Sequence, residues 1–133
     1  MIAVEYIEKP FCENVCKSYP FAIPRDSSGN KIDDLFYADL IPEGWVDLFI
    51  DMCKEIKQLN PPDDFYFTDV KEKHNQLRCY PSISTEDIDN IIQKYQLRSI
   101  YTCQLCGKNK RTDQLYCDDC LKAIYTLNIL RKN

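Results

Sequence analysis

Glycine and histidine are scarce: three glycines and a single histidine, His74, in 133 residues. So little glycine excludes a phosphate-cradling loop, which needs several glycines at close spacing. One histidine leaves nucleophile–histidine catalysis, or an open histidine-ligated zinc, to rest on His74 alone, and His74 falls in a turn-prone stretch. The acidic pairs Asp33-Asp34 and Asp63-Asp64 are neighbours in loops and read as solvated charges. General acid–base work needs carboxylates converging in a pocket. Neither an enzyme nor a small-molecule substrate is expected. No run reaches the ~18 apolar residues of a membrane span, and Met1-Ile2-Ala3-Val4-Glu5-Tyr6 opens no export signal. A cytoplasmic protein with reduced thiols is therefore expected.

Cysteine is what the chain has in excess, eight in all. Four fall in two Cys-x-x-Cys pairs, Cys103-Gln104-Leu105-Cys106 and Cys117-Asp118-Asp119-Cys120, with ten residues between them. Each such turn points both sulfurs the same way, and two turns face to face make the tetrahedral four-sulfur cage zinc prefers. Gly107 suits the positive φ needed where the chain curls back toward the first pair. The second pair runs into a helical segment, whose positive end stabilises thiolates. Structural zinc is the first expectation, ahead of an iron–sulfur centre, another metal or plain thiols. Four protein ligands leave no open position, so such a zinc holds the fold and performs no catalysis.

The remaining pattern is an α+β fold: a small helix–hairpin–helix body over 1–100, and a zinc module over 101–133 of treble-clef or ribbon-like layout. Within the body, 1–41 reads as a lead-in. Pro10 opens a short helix through Phe11, Val15 and Tyr19. Asp26-Ser27-Ser28-Gly29-Asn30 marks a turn. Residues 35–40 read as a short strand or extended lead-in. Over 42–59, Trp45, Leu48, Phe49, Met52, Cys53, Ile56 and Leu59 recur on one helical face, and Asn60-Pro61-Pro62 ends it. Residues 65–70 and 76–80 form a β-hairpin across a turn at 71–75. Ser84 caps a second helix with Asp87 at its third position, whose stripe is Ile88, Ile91, Ile92, Tyr95 and Ser99. A last helix starts near Asp118 and buries Leu121, Ile124, Tyr125 and Leu127 or Leu130.

Three segments together, Gly44-Trp45 opening a helix, Val70-Lys71-Glu72-Lys73-His74-Asn75-Gln76-Leu77-Arg78-Cys79-Tyr80, and Tyr101-Thr102-Cys103-Gln104-Leu105-Cys106-Gly107, resemble a widespread group of small phage, prophage and bacterial proteins. These share a Gly-Trp helix, a "VKEKFGxLRFY"-like strand and a "CExCG…C" metal motif. The likeness covers roughly 42–120. In this chain His74-Asn75 stands for the usual Phe-Gly, Cys79 for an aromatic, and Cys120 for a ligand that is often His. The group has no settled biochemical activity, so the resemblance implies a mobile-element setting and not a mechanism.

Charge offers two candidate surfaces. Residues 1–70 carry 6 basic and 14 acidic side chains, and 71–133 carry 11 basic and 7 acidic. An acidic strip of Asp33, Asp34, Asp39, Glu43, Asp47 and Asp51, with Asp63, Asp64 and Asp69 behind it, is suited to a basic protein partner such as a host or defence factor. Lys108, Lys110 and Arg111 between the cysteine pairs are the candidate nucleic-acid contacts. The plainer reading is that they compensate a four-thiolate zinc centre of charge about −2. Cys12, Cys16, Cys53, Cys79 and His74 are the candidates for a second metal site. Buried apolar thiols are the commoner fate of such cysteines.

Overall fold

The structure is a computed structural model, and it describes residues 17–32, 35–110 and 114–132. The helix expected from Pro10, Cys12 and Cys16, and Asp33, Asp34 and Arg111, lie outside the described residues. Among the described residues the fold is mixed α and β: helix α1 (Val46–Gln58), strands β1 (Phe67–Lys73) and β2 (Gln76–Pro81) in one antiparallel sheet, helix α2 (Glu86–Ile100) and helix α3 (Asp118–Lys132). No helix is long and apolar enough to cross a membrane.

α1 forms where its periodicity predicts. A 3-10 turn, Glu43–Trp45, leads into it after Pro42. Trp45, Phe49, Met52, Cys53 and Ile56 are fully buried, with Leu48 nearly so. Asn60 takes a left-handed φ of 51° just past the helix end, a position Asn tolerates, and Pro61 prevents continuation.

The hairpin is longer and its turn tighter than the predicted break at 71–75. β1 continues through Lys73, which pairs with Gln76, and only His74 and Asn75 turn, with φ of 52° and 61°. Two successive left-handed residues make the twist-matched two-residue turn of β-hairpins. The charged run Lys71-Glu72-Lys73 is exposed and so costs the strand nothing on that face. A register shift between Phe67 and Asp69 lets Phe67 and Val70, three residues apart, both enter the core. Leu77 and Cys79 enter it from β2.

α2 packs across β2 and against α1. Its N-cap is Thr85, one residue beyond the predicted Ser84. The Thr85 hydroxyl accepts from the Ile88 amide at 3.2 Å, and the Ser84 hydroxyl donates to Asp89 at 2.5 Å. The predicted stripe holds: Ile88, Ile92, Tyr95 and Ser99 are buried, Ile91 partly. The Ser99 hydroxyl accepts from the Leu77 amide at 2.8 Å, fastening the end of α2 to β2.

Residues 19–22 and 37–41 also contribute to the core. Tyr19, Phe21, Ala22, Tyr37, Ala38 and Ile41 are buried. The Phe21 ring lies 5.3 Å from Phe65 and 5.7 Å from Phe67, and the Tyr37 hydroxyl donates to the Phe67 carbonyl at 3.0 Å. Where a strand or extended segment was expected over 35–40, a 3-10 turn, Tyr37–Asp39, turns Tyr37 inward.

α3 departs furthest from expectation. Leu121 and Tyr125, predicted to be buried, are exposed, as are both Leu127 and Leu130, of which one was expected inside, and Ile124 is only partly covered. Helical spacing identifies which side chains share a face, but burial also requires an opposing surface.

On the surface of the α1–α2 pair, Glu55 accepts from Lys94 at 2.5 Å and from the Tyr95 hydroxyl. Hydrogen bonds from Lys94 and then Tyr95 hold the Glu55 carboxyl below its usual range. Burial, then the hydrogen bond to Glu55, pushes the Tyr95 phenol up to about 12. A depressed carboxyl stabilises the fold above its unfolded value of about 4.3 and loses that contribution as pH falls through the folded value. Glu55→Gln should therefore lower the thermal midpoint at neutral pH, with the gap to the parent closing on acidification. An equal gap throughout a pH series of melting curves would contradict this coupling.

Candidate metal centre

The first cysteine pair sits on a tight backbone knuckle. The Cys103 amide donates to the Lys108 carbonyl at 2.8 Å, and the Gly107 amide to the Cys103 carbonyl at 3.0 Å. Gly107 has φ of 79°, as its place after the pair predicts. Thr102 and Asn109 bridge the two limbs of the loop. The second pair straddles the start of α3: the Cys117 carbonyl accepts from the Leu121 amide at 2.9 Å, and Cys120 follows one turn in.

The four sulfurs of Cys103, Cys106, Cys117 and Cys120 all lie within 4.8 Å of one another, and Cys106 and Cys117 are 3.6 Å apart. A zinc with four sulfurs at ~2.3 Å sets them about 3.8 Å apart, so the donor set fits a tetrahedral four-thiolate ion. Cys103 and Cys117 are buried, Cys120 is half-buried and Cys106 exposed. The thiols differ in acidity. Burial would raise Cys103, but the backbone N–H groups of Cys106, Cys117 and Leu105 and the Cys106 thiol outweigh it and draw Cys103 down to about 6. Burial and hydrogen bonding with Cys117, Cys106 and Cys103 push Cys120 up to about 12. Gathering all four as thiolates takes a cation, and its binding expels protons.

The knuckle is docked on the body by Gly44 and Trp45. The Gly44 amide donates to the Gln104 carbonyl at 2.8 Å, and the Trp45 indole to the Thr102 carbonyl at 2.9 Å. A Cβ on Gly44 would stand 2.1 Å from the Cys103 carbonyl oxygen and 2.7 Å from the Gly107 nitrogen. Only glycine lets the two backbones approach this closely.

A second attachment, which sequence reasoning missed, runs through Asn75 at the hairpin tip. Gln104 donates to its side-chain oxygen at 3.1 Å, and its own amide group reaches the Ile100 and Gln114 carbonyls at 3.4 and 3.5 Å. Lys110 enters the same cluster, its ammonium donating to the Ile100 carbonyl at 2.5 Å and to the Gln114 carbonyl. Lys110 is 7 % exposed and is thus not the surface cation expected of a phosphate contact. Lys108 is exposed and Arg111 is not described. Asparagine's tolerance of left-handed φ was the one available signal for Asn75.

Of the acidic strip, Glu43, Asp47 and Asp51 are exposed at four-residue spacing along α1 and its lead-in turn. They line a groove of about 390 Å³ together with Arg98, Leu105, Cys106 and Gly107. Asp39 is exposed in its own turn, Asp63 and Asp64 are exposed in the loop before β1, and Asp69 pairs with Lys71 at 3.3 Å. His74 is exposed at the hairpin tip, Cys53 is fully buried on α1 and Cys79 is buried on β2, where burial pushes its thiol up. Among the described residues they join no metal-ligand cluster.

No family model, curated protein or solved structure matches the chain.

Two substitutions test this architecture. Gly44→Ala forces the body and the knuckle apart and should cost about 3 kcal/mol. Lys110→Ala strands buried carbonyls and should cost ~1–3 kcal/mol. Both are read from thermal or urea unfolding of metal-loaded protein, and values near zero would remove the docking contact or the buried cluster from the account.

Proposed function

We propose that this protein is a non-enzymatic binding protein whose C-terminal third is held by one structural zinc at Cys103, Cys106, Cys117 and Cys120. The carrying observation is the convergence of four sulfurs on a knuckle docked to the body. That donor set fills the coordination sphere, so the metal's role is to rigidify. A knuckle followed by a helix-borne pair supports a treble-clef layout for the module. Zinc would then relieve a segment with too little core of its own.

The protein acts by engaging another protein. Glu43, Asp47 and Asp51 form a compact acidic face beside the knuckle, suited to a basic surface on the partner. The resemblance of its Gly-Trp, Val70–Tyr80 and cysteine segments to phage and prophage proteins supports a mobile-element setting. There a host or defence factor is the natural target, in the cytoplasm where thiols stay reduced. Nucleic-acid binding through the knuckle loop is the weaker reading, because Lys110 is spent inside the fold.

Two experiments test this. Cys103→Ser should abolish stoichiometric zinc and lower the thermal midpoint, as should a strong chelator acting on the parent protein. Unchanged melting in both cases would refute a structural metal. Asp47→Arg with Asp51→Arg should abolish capture of the partner while leaving zinc content and melting unchanged. Retention of the partner by that variant, or a salt-sensitive DNA mobility shift lost on Lys108→Ala, would overturn the acidic-face reading in favour of another surface.

A further inference from the structure

Three cations that no sequence motif announces meet at one pocket. Arg25, Lys31 and Lys57 line a concavity of about 470 Å³ beside the C-terminal end of α1, and it shares no residue with the metal centre. Arg25 and Lys31 form an antiparallel bridge across the turn at 26–30, and residues paired in this way carry their side chains on one face. The Asp26 amide closes that turn on the Asn30 carbonyl at 2.9 Å, and the Ile32 amide bonds the Pro24 carbonyl at 3.0 Å. Lys57 comes from the last turn of α1, its ammonium 5.5 Å from the centre of the Tyr19 ring. Apolar lining comes from Phe21 and Phe65, buried rings 5.3 Å apart, and from the stiff Pro61-Pro62 pair.

The charge at this pocket is unbalanced. Among the described residues the ion pairs are Lys71–Asp69 and Lys94–Glu55, so none of the three cations has a carboxylate partner. The nearby Asp26 carboxylate accepts from the Ser28 and Asn30 amides at 2.9 and 3.0 Å, within its own turn. Asp63 is the one carboxylate in the lining. Arg25 is held in place: Nη1 donates to the Gly29 carbonyl at 3.1 Å, and the guanidinium stacks 4.4 Å from the centre of the Tyr66 ring. Its Nε is shut off from water yet has no hydrogen-bond partner. A buried donor left unmet costs free energy. An immobilised guanidinium with spare N–H groups, lining a pocket with two ammonium groups, suits the oxygens of a phosphate.

We propose that this pocket binds a small phosphate monoester carrying a flat ring, the chemical class of a nucleoside monophosphate. Arg25, Lys31 and Lys57 take the phosphate, and Phe21, Phe65 and the two prolines take the ring. Three cations against one carboxylate leave about two positive charges, the match for a phosphate monoester of about −1.5 to −2. A carboxylate ligand, with a single charge, leaves the set under-neutralised. The volume lies within the ~300–1,000 Å³ of small-ligand sites. This site stands apart from both the metal centre and the acidic face.

The test is titration calorimetry of full-length, zinc-loaded protein with adenosine monophosphate, inorganic phosphate and adenosine in turn. The monophosphate should bind about tenfold more tightly, or better, than either fragment, since it alone engages both the cations and the apolar lining. Lys31→Glu, on an exposed turn, should weaken it about tenfold or more. Arg25→Lys keeps the charge but loses the planar fork, and should weaken it severalfold. Lys54→Glu makes the same charge change on an exposed part of α1 outside the lining, and should leave binding unchanged. Melting curves confirm that each variant folds, and Lys31→Glu decides alone if Arg25→Lys does not. No binding of the monophosphate up to about 10 mM overturns the proposal. So does binding indifferent to Lys31→Glu, or inorganic phosphate binding equally well, which would mean an adventitious ion only. Adenosine binding equally well removes the phosphate from the account, and a phosphoserine peptide that outbinds the monophosphate replaces the small ligand with a protein segment. Either result overturns the proposal as stated.

Discussion

The Gly44 α-carbon lies against the carbonyl of Cys103, and the rest of the structure depends on that approach. An ordinary side chain there would collide with the knuckle backbone at 2.1 Å, well inside any tolerable contact. With glycine in place, the Gly44 amide bonds the Gln104 carbonyl and the Trp45 indole bonds the Thr102 carbonyl. Trp45 is also fully buried in the body's core. The same dipeptide therefore opens α1, anchors the core and positions the first cysteine pair. Asn75 and Lys110 fasten the opposite side of the module through carbonyls at the end of α2 and before the second pair.

This double attachment explains how a short module can be ordered with little apolar burial. Among the described residues beyond 101, the buried ones are Cys103, Cys117 and the polar Thr102, Gln104 and Lys110. Hydrophobic collapse cannot organise such a segment, and metal ligation can, because in metal modules binding energy becomes folding energy. α3 leaves this centre by its first turn, and beyond it Ile124 is partly covered while Tyr125, Leu127, Ile129 and Leu130 stay exposed.

Much of this was legible in the sequence, for identifiable reasons. α1 and α2 show because one face of each meets a core, so spacing and burial coincide. The cysteine pairs show because metal geometry dictates their spacing. Other features were hidden because they depend on contacts distant in sequence. Lys110 reads as a surface cation until its ammonium is found on the Ile100 carbonyl. Asn75 reads as a plain turn residue until the knuckle closes over it. The turn at 71–75 was overestimated because charge resembles a loop signal, whereas a two-stranded ribbon carries charge freely on its solvated face. α3 was misread because periodicity is silent about whether a partner surface exists.

The most direct test is X-ray absorption at the zinc edge on the purified, reduced full-length chain, with the metal quantified in the same sample. The account predicts one zinc per chain, with four sulfur neighbours at ~2.3 Å and no nitrogen or oxygen ligand. A substoichiometric metal, or a mixed first shell in which fewer than four cysteines take part, would contradict it.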